Sequence, residues 1–286
     1  MEIKKLNKQD WPEALLEIAD PPEQLNYRGQ KPNWKSVFLT VVGSRRYSGY
    51  GKDICEKLIA GLRGHNITIV SGLAFGIDSI AHKTALATNL RTISIPGSGL
   101  ADSVLYPRAN KPLADKIVAA GGTLLSEFNP TEPATYWTFP QRNRIMAGLA
   151  KAVLIIEATE KSGTLITARL ALEYNREVCA VPASIFSRFA IGSNKLLRQG
   201  ATVITSGQDL LETLGFDLDK QAPQSELRLA DCSAEEKKIL ELLKEPLGRD
   251  DLIRHLNIPT GQANIILSAM EIKGLLKETL GKIRIN

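Results

Sequence analysis

Between residues 37 and 205, short and nearly unbroken apolar runs recur, with stretches of helical periodicity between them. The runs are VFLTVV (37–42), ITIV (67–70), RTISI (91–95), TLLSEF (123–128), AVLIIEA (152–158), EVCAVP (177–182) and ATVIT (201–205). A strand with one wet face alternates apolar and polar residues, so a continuous run means that both faces are covered. Stretches such as GKDICEKLIAGLRG and ITARLALEYNR supply the covering helices. Repeated strand–helix units with right-handed crossovers give an α/β fold, a doubly wound and mostly parallel sheet.

The pattern stops at DLDKQAPQS (217–225), which reads as a linker. Beyond it, Ser233-Ala-Glu-Glu236 is a capping box opening the helix EEKKILELLK, which Pro246 ends. A short helix near DLIRHL (251–256) follows, then a third helix capped by Thr260 and stopped by Gly274. LLKETLGKIRIN reads as two strands around Leu280-Gly281, and three helices with a hairpin describe a winged helix. The chain of 286 residues thus divides into a short helical and linker segment (1–36), an α/β domain (37–216), a linker (217–229) and a winged-helix domain (230–286).

Cys55, Cys179 and Cys232 are odd in number and widely spaced, which excludes a disulfide framework and a cysteine zinc site and suits a reducing cytosol. The opening MEIKKLNKQDW has no apolar core of a signal peptide, and no run is long enough to span a membrane. A cytoplasmic protein without membrane attachment is expected.

The net charge of +5 is unevenly placed. Residues 1–40 carry six bases and six acids, residues 41–215 carry 19 and 13, and residues 216–286 carry 11 and 12. The excess belongs to the central domain, which points to an anionic partner there.

Ligands of open parallel sheets bind at the carboxyl ends of the strands. Those ends read Gly43-Ser44-Arg45-Arg46, Ser71-Gly72, Pro96-Gly97-Ser98-Gly99 and Lys161-Ser162-Gly163-Thr164. Glycine admits close backbone approach, and helix N-termini attract anions, so four such turns on one rim suggest a phosphate-binding crest. GSRRYSG is not GxGxxG, and no GxxxxGK[ST] loop occurs, so nicotinamide cofactors and ATP are not expected. No cofactor is expected.

A second constellation, Tyr136-Trp137-Thr138-Phe139-Pro140-Gln141-Arg142-Asn143-Arg144, interleaves aromatic rings with guanidinium groups. Such a surface can stack unpaired bases while holding phosphates. Two arginines near a helix N-terminus oppose its dipole, which an anion shared with Arg142 and Arg144 would explain. His65, His82 and His255 have no metal-ligand spacing, and no carboxylate pair or GxSxG elbow argues for catalysis.

At these motifs the sequence resembles the DNA-processing protein A family (DprA, also called Smf). The resemblance rests on VVGSR (41–45), SGLAFGIDSIAH (71–82), PGSGLADSVLYPRAN (96–110), LSEF (125–128), FPQRNRIMAGLA (139–150), VLIIEATEKSGTLITARLALEYNREVCAVPA (153–183) and GSNKLLRQGA (192–201). It implies a Rossmann-like domain that binds single-stranded DNA without sequence preference, dimerises, and helps load the RecA recombinase during transformation. Carried over by motif, Gly43, Ser44, Arg45, Ser162 and Gly163 contact phosphates, with Arg46 beside them. Arg108 fills the basic position of YP-R-AN, Phe139 stacks on bases, and Arg142, Asn143 and Arg144 brace the pocket. Lys195 contributes from GSNK, although Ala183 and Asn175 depart from the family pattern nearby.

Two other readings use the same residues. Nucleoside-monophosphate phosphoribohydrolases share the superfamily and carry a PGGxGTxxE loop, but here the glutamate position is Thr167, which cannot act as a carboxylate. Alternatively the winged helix reads duplex DNA. Its third helix offers Gln262, Asn264, Ser268 and Glu271, a poor phosphate-binding set.

Overall fold

A computed structural model describes residues 2–217, 233–243, 247–256, 258–279 and 281–285. It divides into two units, Met1–Leu218 and Asp219–Asn286. The linker expected at 217–229 lies outside the described residues except for Asp217, as do Pro246 and Leu280.

The first unit is built on a nine-stranded sheet in the order β1-β2-β6-β5-β4-β3-β7-β8-β9. Its strands are β1 (Ile3–Leu6), β2 (Leu25–Gly29), β3 (Val37–Val42), β4 (Ile67–Ser71), β5 (Arg91–Ser94), β6 (Thr123–Ser126), β7 (Ala152–Ile155), β8 (Glu177–Ala180) and β9 (Thr202–Val203). Strands β3 to β9 run parallel, and all seven fall on the apolar runs read from the sequence, β4 extending one residue past its run to Ser71. The expectation of a doubly wound, mostly parallel sheet holds. Alternate residues of β3 show why its run is unbroken. Leu39 and Val41 enter one core, with Leu58 and Ile59 of helix α2 (Gly49–Ala60). Phe38 and Val42 enter the other, with Ile145 and Met146 of α5 (Thr138–Leu149).

Residues 1–36 are not a separate segment. Strand β2 pairs antiparallel with β6, and β1 pairs antiparallel with β2, so this stretch extends one edge of the sheet. Leu6, Trp11, Leu15, Ile18 and Leu25 are buried in the same core as Ile145.

The chain leaves β3 toward β4 on one side and later returns through β7 on the other. The strand order therefore reverses between β3 and β7, the place where open α/β sheets form a crevice. Helices α1 (Glu13–Leu16), α3 (Ile77–Ala87), α4 (Lys111–Ala119), α6 (Thr164–Glu173) and α7 (Ile191–Arg198) follow β1, β4, β5, β7 and β8.

In the second unit, helices Ala234–Leu242, Arg249–Leu256 and Thr260–Ile272 pack with strands Leu247–Gly248, Leu276–Thr279 and Lys282–Ile285. The Ser233–Glu236 capping box is present, and Gly274 takes the left-handed φ of +69° that ends the third helix. Thr260 is the first residue of that helix rather than its cap, because Pro259 holds the cap position. Three helices and a three-stranded sheet complete the expected winged helix.

Candidate nucleic-acid interface

A cavity of about 970 Å³ opens at the β3/β7 crossover. Gly43, Ser44, Arg45 and Arg46 wall it from the end of β3, and Lys161, Ser162, Gly163 and Thr164 from the loop opening α6. Glu157 fixes the two sides together. Its carbonyl accepts from the Ser44 amide at 2.8 Å, and its buried carboxylate accepts from the Ser48 amide at 2.9 Å and from the Ser48 hydroxyl. Gly51 is required here, because a Cβ would sit 2.3 Å from that carboxylate. The Ser44 amide is thus engaged within the protein, and its hydroxyl, which accepts from the Arg46 amide at 3.2 Å, is the group left to face a ligand.

Arg45, Arg46, Lys161 and Arg188 are exposed cations on the cavity wall, against one exposed acid there, Glu160. The first turn of α6 adds its positive dipole end beside Ser162 and Gly163, and a Cβ at Gly163 would meet nothing within 4 Å. The site is built to hold anions in several places at once.

Phe139 supplies the apolar part. It is half-buried in the first turn of α5 and rests on Gly97, where a Cβ would lie 2.6 Å from the ring. Tyr106 meets it edge-on with centroids 5.7 Å apart, and the Arg45 guanidinium lies over the ring at 5.4 Å. Tyr136 lines the cavity, and both it and Trp137 are more than three-quarters exposed, packed edge to face against each other.

The helix arginines divide differently from the sequence expectation. Arg142 lines the cavity but is buried, and it donates to the carbonyls of Gly72 (2.7 Å) and Ile95, so it ties together the ends of β4 and β5. Burial lowers its pKa to about 10, an effect the Asp78 carboxylate opposes. Burial also raises the Asp78 pKa, opposed by Arg142 and by the Gly72 amide that donates to it at 3.1 Å. Asn143 lines the cavity and accepts from Arg142 Nε at 3.1 Å. Arg144 does not line the cavity. It pairs with Glu127 at 2.5 Å and Asp20 at 3.0 Å. No shared anion is needed to explain these two charges, since the protein's own carbonyls and carboxylates answer them.

Arg108 is exposed on the 3-10 turn Arg108–Asn110, and Lys195 is exposed on α7. Neither lines the cavity. Lys161 and Tyr136 fall in motifs that the sequence singles out, the strand-end turn before α6 and the interleaved aromatics, whereas Arg188 in SIFSRFAIGSN carries no such signal. His82 is buried, with Nδ1 2.7 Å from the Thr92 hydroxyl and its pKa pushed down to about 3 by burial, so it is a neutral core residue. Thr167 is buried in the cavity wall where the phosphoribohydrolase reading needs a glutamate.

Comparison with known proteins gives concordant matches. A family model described as DNA recombination-mediator protein A matches residues 2–215, and one described as the DprA winged helix domain matches residues 220–282. The chain is 44% identical over 206 residues to the DNA processing protein DprA of Streptococcus pneumoniae, covering 72% of each. It is 42% identical over 208 residues to Protein Smf of Escherichia coli, covering 73% of this chain and 55% of that protein. The chain thus spans little more than half the length of the latter. Two solved structures are similar. The S. pneumoniae DprA structure has a TM-score of 0.69 at 41% identity, covering 76% of this chain and 75% of that one. The Helicobacter pylori protein, described for its single-stranded DNA binding mode, has a TM-score of 0.67 at 30% identity, covering 74% and 95%.

Proposed function

The chain belongs to the DNA recombination-mediator protein A family, and from that premise we propose that the cavity at the β3/β7 crossover holds single-stranded DNA without sequence preference. One observation carries this reading. Four exposed cations and a helix N-terminus surround a half-buried phenylalanine within one open cavity. The cations suit successive phosphates, and the ring offers a π-face that any base can use. Glycine backbone and arginine in this arrangement read charge and shape rather than base edges. The H. pylori relative's described binding of single-stranded DNA supports the assignment.

The finer parts of the proposal rest on the family resemblance. The protein acts in the cytoplasm as a homodimer joined through the first unit, and it passes the bound strand to RecA during transformation and recombination. It is not an enzyme. Of the two acids on the cavity wall, Asp78 is buried against Arg142 and Glu160 is exposed among the cations, and Thr167 stands where the phosphoribohydrolase reading needs its glutamate.

The test is fluorescence anisotropy of a labelled oligo(dT) alongside a duplex of the same length, with base release from nucleotides measured in parallel. Tight, salt-sensitive binding of the single strand with no base released is expected. Turnover of a nucleotide, or preference for the duplex, would replace this reading. RecA filament growth on the same strand should be faster in the protein's presence, and sedimentation should give a dimer.

A further inference from the structure

A shallow groove lined by Arg45, Ala74, Phe75, Tyr106, Pro107 and Phe139 shares Arg45, Ala74 and Phe139 with the cavity. Phe75 is 46% exposed and Tyr106 is 43% exposed, so one groove presents two partly open aromatic rings. The backbone holds them there. Leu73 is buried and yet adopts the left-handed φ of +59°, a conformation a leucine keeps only when its surroundings enforce it. The enforcement is visible. Asn110 Nδ2 donates to the Leu73 carbonyl at 2.7 Å and to Ser79 Oγ at 2.9 Å, while Ser79 Oγ donates to the Ala74 carbonyl at 2.6 Å. The Gly72 amide donates to Asp78. Tyr106 is held through its amide, which donates to Ser98 Oγ at 3.2 Å, and through its edge contact with Phe139.

Building on the single-strand reading above, we propose that Phe75 and Tyr106 form a second base-stacking platform. It takes the nucleotides of the bound strand that leave the cavity over Phe139. The occupant follows from continuity and charge. Phe139 and Arg45 line both the cavity and the groove, so a strand in one is led directly into the other. Exposed Arg108 directly follows Pro107 on the groove wall and suits the phosphate of an outgoing nucleotide. The backbone before Phe75 is pinned at Leu73 and Ala74, and the Tyr106 ring is braced by Phe139, so little freedom is lost on stacking, as a sequence-tolerant base platform requires.

The test compares Phe75→Leu with wild type and leaves Tyr106 in place against Phe139, since leucine keeps apolar bulk while removing the π-face of Phe75, which does not line the cavity. Anisotropy is read with two labelled oligo(dT) strands, one short enough to stay in the cavity and one long enough to leave it. The variant should bind the short strand like wild type and the long strand about five-fold or more weakly, as expected for one lost stack. The salt slope should not change. Replacing the outgoing nucleotides with abasic ones should weaken wild type by at least that factor and the variant by less. Equal long-strand affinity in variant and wild type overturns the platform, as does an equal loss on intact and abasic strands. A change of oligomeric state in place of strand affinity also overturns it, making the groove a protein contact. If wild type fails to bind either strand, the single-strand reading itself fails, which is a distinct outcome.

Discussion

Two arginines of α5 look like ligand residues in the sequence, and in the structure both are answered from within the chain. Arg144 is almost buried and pairs with Glu127, itself almost buried, so removing one partner leaves a lone charge in a poorly solvated place. Arg144→Ala should cost about 3–5 kcal/mol in urea denaturation, with little direct effect on the salt slope of binding. Its pH dependence has a definite sign. Burial raises the Glu127 carboxyl above its ordinary range, and Arg144 opposes that rise, so the variant should raise it further. A raised folded-state pKa means that ionisation opposes folding, so stability is lost as pH rises through the titration range and regained below it. The variant's deficit should therefore shrink as pH falls from neutral toward 5, measured as the change in urea midpoint; a deficit that grew on acidification would contradict this. The sequence made Arg45, Arg46, Ser162 and Gly163 legible because they fall at strand ends. It could not separate Arg142 and Arg144 from them, since their partners at Gly72, Ile95, Asp20 and Glu127 are supplied by distant parts of the chain.

The loops that carry the cavity are positioned by close contacts at single glycines. Gly97 lies under the Phe139 ring, and a methyl there must push the ring away. Gly97→Ala should weaken oligo(dT) binding by about 1–3 kcal/mol without altering its salt dependence, the signature of a lost stack rather than a lost phosphate contact. Glu157→Gln addresses the other wall. It keeps the size of the side chain but weakens the charge-assisted bonds to Ser48, and the loop bearing Arg45 and Arg46 should loosen, lowering affinity while the chain stays folded by circular dichroism. At this scale the sequence reading is strongest for central strands. VFLTVV is a strand over all six of its residues. It missed β1 and β2, because IKKL is lysine-rich and LNYRG follows a turn-rich stretch. The edge strand β1 needs neither an apolar run nor two covered faces, so its pairing with β2 leaves little trace in local composition.

For the molecule as a whole, the charge split already assigns the anionic partner to the first unit, and the cavity's exposed cations all belong to that unit. The stretch that holds the winged helix has no net positive charge, with 11 bases against 12 acids over residues 216–286. Arg249 is occupied by Asn264 at 3.1 Å and by Glu278 at 3.0 Å, and Lys273 is paired with Glu236 at 2.7 Å. A chain ending at Asp217 should therefore keep the oligo(dT) affinity and salt slope of the full chain. Ending earlier, at Leu214, would remove Phe216, which packs on the core and meets His65 edge-on at 5.0 Å, and would confuse lost folding with lost binding. The division into two units was plain in the sequence because periodicity and charge both change there. The crossover cavity was plain only as a set of strand ends, since which ends become neighbours depends on the strand order.

The most direct test of the central claim is the salt dependence of oligo(dT) binding in wild type, Arg45→Ala and Lys161→Ala. Each residue is an exposed cation on the cavity wall, so each substitution spares the core. Each variant should bind more weakly, with the log–log slope shallower by about 0.7 for each phosphate contact removed. Slopes identical to wild type in both variants would place the strand somewhere other than the β3/β7 crossover.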